Sequence, residues 1–296
     1  MSNRYAVIDI GSNSVRALFQ GDGKKYSVTT RLGTNLANTG RLDNQRAKHS
    51  VGVIAAFVNE AKSRGLVPLA YATSAVRDAE NRSEFIEFVK LYSSIDVDVL
   101  SGEREAHYAH MGACGGKGGL IDIGGASMQL ISESFKKSFP VGCIRGKDIA
   151  LELTKDEPDP ACCTLQREAL AAYLDGLTAP YAEELKNATF APCIGVGGTI
   201  TTLCALSVDP NAANKKVGEG ASLTRDMLEK LISALDMLGA KRAAIGVLSA
   251  RHDVILYGAA LLARAMDMLS LDSITSSLRD GLDGYLDAAI RGEISL

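Results

Sequence analysis

The segment Asp9-Ile10-Gly11-Ser12-Asn13-Ser14 has a counterpart in Asp122-Ile123-Gly124-Gly125-Ala126-Ser127, each copy between two apolar runs that read as strands. In both copies an acidic residue ends a strand, a glycine permits a tight turn beside a ligand, and a serine offers a hydroxyl on the way into the return strand. One such turn is an ordinary β-hairpin. Two of them, one in each half of the chain, suit a phosphate chain held from both sides, with amides and hydroxyls of Gly11, Ser12, Asn13, Ser14, Gly124, Gly125, Ala126 and Ser127 as donors. The turn Val196-Gly197-Gly198-Thr199, opening a short helix over Thr201 to Ala205, is a third place where helix N-terminal amides can meet an anion.

Composition limits the alternatives. With 296 residues the chain suits one large or two medium domains, and its 46% hydrophobic and 23% charged residues are ordinary for an ordered globular protein. It has no run of 18 apolar residues, and its N-terminus enters a strand directly instead of a signal-peptide core, so no membrane span and a cytoplasmic location are expected. Six cysteines without a C-x-x-C pair suggest reduced thiols, with vicinal Cys162 and Cys163 as buried helix residues. A net charge of −3 leaves any phosphate ligand to local attraction, and the lack of a basic stripe or of any Trp argues against nucleic acid. His49, His107, His110 and His252 have no metal-ligand spacing.

The elements that would position the two loops follow from periodicity. Tyr5 to Ile10, Val15 to Phe19 and Lys24 to Thr30 read as a three-stranded meander, followed by a helix from Asn44 to Arg64 with Gly65 as its stop. Leu66 to Thr73 is a strand. Asn81 with Glu84 looks like a helix cap, and Ile95, Val97 and Val99 alternate as a closing strand. After the Gly-rich stretch Gly115 to Gly119 the plan restarts with strands at Gly119 to Ile123, Met128 to Ser132 and Phe135 to Val141. Helical stretches are expected near Lys147 to Leu153, Cys163 to Lys186, Arg225 to Leu238 and Val254 to Leu269, with a strand over Pro192 to Gly195. The expected domains are residues 1–117 and 118–296.

The runs YAVIDIGSNSVRALF, ATSAVRDAEN, LSGEREA, LIDIGGASMQLI, SFPVGCIRG, GVGGTITTL and LRDG occur in that order over nearly the whole chain. In them the sequence resembles the exopolyphosphatase and guanosine pentaphosphate phosphohydrolase family. The resemblance implies an α/β fold of the actin, sugar kinase and heat-shock ATPase kind, with two ribonuclease H-like domains, mixed sheets flanked by helices, and a site in a cleft between them. It also implies Mg²⁺-assisted removal of a terminal phosphate from inorganic polyphosphate or guanosine pentaphosphate, and a homodimer is among the assemblies it allows. Longer members carry an extra C-terminal helical domain, and this chain ends before one would fit. Short polyphosphate is therefore the expected substrate. The loops read only the terminal phosphoanhydride, so guanosine pentaphosphate stays an alternative, as does a catalytically weakened phosphate or nucleotide sensor. The ATSAVRDAEN and LSGEREA segments argue against a kinase of the same superfold.

The resemblance gives roles to particular residues. Phosphoryl transfer to water needs positioned phosphates, neutralised charge and an oriented water. Glu105, in the LSGEREA segment, matches the family's general base, and a place in the first turn of a helix favours its ionised form. Arg77 matches the arginine of ATSAVRD, a planar fork for phosphate. Asp9 and Asp122 are the expected Mg²⁺ carboxylates. Arg145 and the turn Gly197-Gly198-Thr199 are candidates for the far side of the ligand.

Three positions in the second loop depart from the family's usual aspartate, apolar residue, three glycines, serine, threonine, glutamate: Ala126, Met128 and Gln129 replace the third glycine, the threonine and the glutamate. Arg104 stands where a glutamate usually completes a capping box with Ser101. Weaker Mg²⁺ binding and slower turnover are the expected results.

Overall fold

A computed structural model of the protein describes residues 4–159, 161 and 163–294. The chain forms two compact units, Met1–Gly112 with Arg279–Leu296, and Ala113–Leu278. The sequence places a single boundary at 117/118. The chain differs because the helix carrying Glu105 continues through Gly112 to Cys114, and because the last helix returns to the first unit.

The first unit runs β1 (Tyr5–Ile10), β2 (Ser14–Phe19), β3 (Lys25–Thr29), α1 (Leu36–Thr39), α2 (Asn44–Ser63), β4 (Val67–Ala72), α3 (Ser74–Asp78), α4 (Arg82–Ser93), β5 (Val97–Val99) and α5 (Gly102–Cys114). Its sheet has the order β3-β2-β1-β4-β5. Strands β1 to β3 form an antiparallel meander, and β4 and β5 run parallel to β1 and β4. The two-residue period of a strand then sorts the side chains. Ala6, Ile8 and Ile10 pack with Val51, Ile54 and Val58 of α2, whereas Val7, Leu18, Leu69 and Tyr71 belong to a second cluster on the opposite face. Asp9 shares the face of Val7. Helix α2 starts at Asp43, whose carboxylate accepts from the amides of Gln45 and Arg46, and ends where Gly65 takes φ +67°.

The second unit repeats this plan with β6 (Gly119–Ile123), β7 (Met128–Ile131), β8 (Lys136–Phe139), α6 (Cys143–Leu153), α7 (Cys163–Thr178), α8 (Ala182–Asn187), β9 (Cys193–Val196), α9 (Gly197–Val208), β10 (Ser222–Thr224), α10 (Arg225–Leu238), α11 (Ile255–Met268) and β11 (Ser273–Ser276). Its order β10-β11-β9-β6-β7-β8 carries the same succession around the central strand and adds β10 at the edge. The fold is thus α/β with two mixed sheets of five and six strands flanked by helices, each built on the ribonuclease H-like strand order. Helix α9 is buried from Thr199 to Leu206 and forms the centre of this unit's core with α11.

Other expectations change in detail. Asn81 does not cap α4: its amide side chain accepts from the Leu42 amide at 2.9 Å and donates to the Leu42 carbonyl at 3.1 Å, tying two loops together. The expected helix over Cys163 to Lys186 is interrupted by a 3-10 turn at Ala179–Tyr181, where Pro180 lacks the amide a continuous helix needs. The short β10 and β11 and the last helix, α12 (Gly281–Ile290), have no counterpart in the periodicity. Cys162, half of the vicinal pair, lies outside the described residues, and Cys163 opens α7 half-buried. Among the described residues no helix is long and apolar enough to cross a membrane.

Helix α12 lies on β1, adds Leu282, Tyr285 and Leu286 to the cluster of Val7 and Tyr71, and meets α5 through glycines. A Cβ at Gly284 would stand 1.9 Å from the Tyr108 carbonyl, and one at Gly112 would stand 2.1 Å from the Asp280 carbonyl. Both obstacles are backbone, so neither can yield cheaply. Gly284→Ala should therefore destabilise the protein by about 1–3 kcal/mol through overpacking, read from the urea midpoint. A loss within about 0.5 kcal/mol, typical of an exposed position, would show that the two helices can separate without penalty.

Candidate active site

Both Gly-rich loops are held from outside by the segment that follows the third strand. In the first, Thr30 and Arg31 amides donate to the Asn13 carbonyl at 3.0 and 2.9 Å, and the Gly33 amide donates to the Ser12 carbonyl at 2.8 Å. Gly33 must be small here, since its Cβ would come within 2.9 Å of the Ser12 Cβ. The Ser12 hydroxyl lies 3.3 Å from that of Ser74 at the start of α3. In the second, Cys143, Ile144 and Arg145 amides of α6 donate to the Gly124 and Gly125 carbonyls at 2.8 to 3.0 Å. Each loop closes on itself as well, Gly11 N to Ser14 O at 3.1 Å and Gly124 N to Ser127 O at 3.0 Å. The loop carbonyls are thus bound to the following segment, an arrangement that suits amides directed at an anion.

Asp9 stands in register with Arg16 on β2 and Tyr71 on β4. Its Oδ2 accepts from Arg16 Nε at 2.9 Å and also from Arg16 Nη2, while its Oδ1 is buried with no hydrogen-bond partner. Arg16 Nη1 in turn reaches Asp280 Oδ2 at 2.5 Å, and Lys25 Nζ reaches Asp280 Oδ1 at 2.8 Å and Asp283 Oδ2 at 2.5 Å. Burial pushes the Asp9 carboxyl upward, and Arg16 only partly offsets it. Burial acts on Asp280 in the same direction, but the Arg16 and Lys25 charges outweigh it and hold that carboxyl well below the ordinary range. The Tyr71 phenol is driven up, first by burial and then by the negative charges of Asp9, Asp280 and Glu105. Asp9 and Glu105 therefore act on one common neighbour. Tyr71 was not singled out from the sequence, where it is one apolar position in a strand.

Glu105 lies in the first turn of α5, as expected, with its amide on the Ser101 carbonyl at 2.9 Å. Arg77, at the end of α3, donates Nη1 to Glu105 Oε2 at 2.9 Å and to the Leu100 carbonyl at 3.0 Å. The pair is only partly exposed, 22% for the arginine and 16% for the glutamate, and brings the ATSAVRD and LSGEREA segments together. Arg104 keeps half of the capping box, its amide donating to Ser101 Oγ at 3.2 Å, and its guanidinium holds both oxygens of Asp98 at 2.8 and 2.7 Å.

In the second unit Asp122 stands between Gln129 on β7 and Val196 on β9. Gly197 has φ +84°, and a Cβ there would meet Asp122 Oδ1 at 2.4 Å. At Gly198 a Cβ would meet Arg251 Nη1 at 2.1 Å, so the start of α9 is approached by a carboxylate and a guanidinium. Arg251 lies between a 3-10 turn and α11, in a stretch without a motif, and only the fold reveals it. Thr199 is buried, packs against α11 at Gly258, and hydrogen-bonds the Cys143 thiol, which burial keeps protonated. Arg145 donates Nη1 to the Pro140 carbonyl at 3.2 Å. Gln129 is buried and donates Nε2 to Ser127 Oγ at 3.0 Å and Ser138 Oγ at 3.3 Å.

Among the described residues no group of three or more His, Cys, Asp or Glu side chains gathers as a ligand cluster. A hard cation that keeps its waters and completes its shell with phosphate oxygens needs only one or two carboxylates, and the unpartnered Oδ1 of Asp9 fits that demand.

The sequence pattern of the Ppx/GppA phosphatase family matches residues 22–286. The chain is similar to exopolyphosphatase 1 of Mycobacterium tuberculosis, 28% identical, covering 94% of this chain and 87% of that protein. It is also similar to the guanosine-5'-triphosphate,3'-diphosphate pyrophosphatase of Aliivibrio fischeri, 25% identical, over 99% of this chain but 61% of that protein. Among solved structures, an Aquifex aeolicus Ppx/GppA family member superposes with TM-score 0.74 at 25% identity, covering 100% of both chains. An exopolyphosphatase from Cytophaga hutchinsonii shares the fold, with TM-score 0.84 at 23% identity and 98% of each chain covered.

The buried amide of Gln129 sets a testable electrostatic condition. A glutamate there loses two donors and faces Asp122 across the strand pair, so burial and like charge would raise its pKa. A raised folded value means the folded state holds the proton more tightly, and stability then falls as pH rises beyond the unfolded value of about 4.3. Gln129→Glu should thus lose about 1–3 kcal/mol at pH 8 and less at pH 5, compared by urea unfolding at both. An equal loss at the two pH values would show that the new carboxyl titrates normally.

Proposed function

Because the chain belongs to the Ppx/GppA phosphatase family, we propose that it is a Mg²⁺-dependent exopolyphosphatase that removes the terminal phosphate of inorganic polyphosphate, short chains favoured. The observations that support this most directly are Asp9, with a buried oxygen that has no hydrogen-bond partner, and Glu105 held by an arginine. Mg²⁺ would be held by Asp9 and, when bound, would neutralise charge on the phosphate oxygens; Asp122 is the corresponding carboxylate of the second loop.

Glu105 takes a proton from water as its oxygen attacks the terminal phosphorus. The bridging P–O bond breaks, and phosphate and a chain shorter by one unit leave. Arg77 orients the Glu105 carboxylate and has further N–H groups for the phosphate. Amides and hydroxyls of Gly11 to Ser14 and of Gly124 to Ser127 bind non-transferred oxygens. Within the second unit, Arg145, the Gly197-Gly198-Thr199 turn and Arg251 beside Gly198 are its own candidate contacts for an anion. Free thiols at Cys114, Cys143, Cys163, Cys193 and Cys204 agree with action in the reducing cytoplasm. A homodimer is among the assemblies to test.

Guanosine pentaphosphate is the second substrate to test, on the strength of the Aliivibrio fischeri relative. Phosphate release from short polyphosphate, long polyphosphate, guanosine pentaphosphate and ATP, with and without Mg²⁺, separates the readings. Tight binding of one of these without turnover would replace the enzyme by a sensor, as the neutral Gln129 allows.

Glu105→Gln should reduce kcat by ~10² to 10⁴ while leaving polyphosphate affinity nearly unchanged, as expected for loss of a general base. More than half of the wild-type kcat in this variant would remove Glu105 from the chemistry. Arg77→Ala should raise KM and lower kcat together, because the arginine serves both the substrate and the base. Lysine at this position should recover only part of the rate, since its point charge lacks the further planar N–H groups that the guanidinium offers phosphate beside its Nη1 contact to Glu105. Wild-type kinetics in Arg77→Ala would make the residue a structural tie alone.

A further inference from the structure

We infer that Asp280, contributed by the LRDG segment near the chain's end, is a positioning residue that keeps one oxygen of Asp9 open to a divalent cation by holding Arg16 in place. This role rests on the phosphatase reading above. Arg16 presents Nε and Nη2 to a single oxygen of Asp9, Oδ2, although an arginine facing a carboxylate usually pairs its two nitrogens with both oxygens. Its third nitrogen explains the offset. Nη1 is drawn to Asp280 Oδ2 at 2.5 Å, on the other side of the guanidinium. Asp280 is itself fixed, its Oδ1 accepting from Lys25 Nζ at 2.8 Å and from the Leu282 amide at 3.0 Å, while its own amide donates to Asp283 at 2.9 Å. Burial opposes the charge on Asp280, but Arg16 and Lys25 keep it ionised.

With the pull of Asp280 removed, Arg16 is free to slide along Asp9 until its fork covers both oxygens. Oδ1 would then be satisfied by the protein and closed to a cation. The geometry thus couples the last helix of the chain to the cation affinity of its first strand, with no contact between Asp280 and the ion.

Asp280→Asn tests this coupling, since asparagine caps a helix as well as aspartate does but lacks the charge. Mn²⁺ binding to the protein alone, followed by electron paramagnetic resonance, should weaken about 10-fold or more, the usual result of disturbing a residue that orients a metal ligand. In phosphate release the Mg²⁺ concentration for half-maximal rate should rise in step, with KM for polyphosphate at saturating Mg²⁺ within about twofold of wild type. Asp280→Glu, which keeps the charge, should recover part of the affinity. Asp283→Asn is the structural control: it removes the charge paired with Lys25 but nothing on Arg16, and should lower the melting temperature without changing Mn²⁺ affinity. Wild-type Mn²⁺ binding in Asp280→Asn, or equal weakening in Asp283→Asn, overturns the role and leaves Asp280 a helix cap. A wild type that binds no Mn²⁺ overturns it as well. A wild type that releases no phosphate from any substrate, yet shows the Mn²⁺ difference, upholds the positioning role and removes the phosphatase reading.

Discussion

A carboxylate buried inside a sheet imposes conditions on everything around it. Asp9 is 4% exposed, burial raises its pKa, and what opposes that rise is Arg16 directly opposite on β2. A register slip of one residue would send Arg16 to the other face and leave the charge uncompensated. Arg16 in turn needs Asp280, Asp280 needs Lys25 on β3, and Asp280 and Asp283 together form the cap from which α12 grows. Breaking a buried ion pair on one side costs about 3–5 kcal/mol, so meander, register and last helix hold or fail as one piece. The glycine contacts between α5 and α12 belong to the same condition. Only a close approach of their backbones lets Asp280 meet Arg16 while Glu105 stays at the head of α5.

The two units use one strand order for different electrostatic ends. In the first, the row across the central strands is Arg16, Asp9, Tyr71; in the second it is Gln129, Asp122, Val196. The first row compensates its carboxylate with a full charge and carries the network on to Asp280. The second places a neutral amide opposite the carboxylate and uses that amide to orient Ser127 and Ser138. The loops keep a common architecture, carbonyls bound to the segment after the third strand, so the duplication preserves the backbone cradle and lets the charges diverge. Beside the neutral Gln129, the second unit carries an oriented Ser127 and a Gly-rich start of α9 approached by Arg251.

Period-two patterning made both meanders legible in the sequence, and the motifs made Asp9, Arg77, Glu105 and the Gly-rich loops stand out. Arg225–Leu238 was readable from its periodicity, and in the structure Thr224 caps it and Gly239 follows it. What escaped depends on long-range contacts. Asp280 is marked in the sequence only as part of the LRDG run, and its importance comes from Arg16, 264 positions away. Arg251 matters because it leans on Gly198, and Tyr71 because parallel pairing sets it beside Asp9. Asn81 carried the local signature of a cap, yet its side chain gains two bonds to Leu42 instead, a competition settled by the tertiary partner. Short strands such as β10 and β11 exist only because β9 is there to continue the sheet.

Arg104 shows how a departure from a family pattern can change meaning once its surroundings are known. At this position the family's glutamate would reach back to the start of α5, and an arginine cannot. It reaches instead to β5, where Asp98 accepts both of its Nη groups and also the Tyr285 hydroxyl at 3.1 Å. Tyr285 stacks with Tyr71 and Tyr108, their ring centroids 4.8 and 5.0 Å from its own, and Arg104 lies 5.9 Å over Tyr108. The first turn of α5 is therefore anchored on two sides, through Asp98 and the tyrosines on one and through Arg77 on Glu105 and Leu100 on the other. A capping box would satisfy a backbone donor, whereas these contacts fix the direction of the helix. For the base role proposed for Glu105, orientation is the harder requirement, because proton transfer needs the carboxylate within hydrogen-bond reach of a water. Arg104 thus supports the geometry on which Glu105 depends.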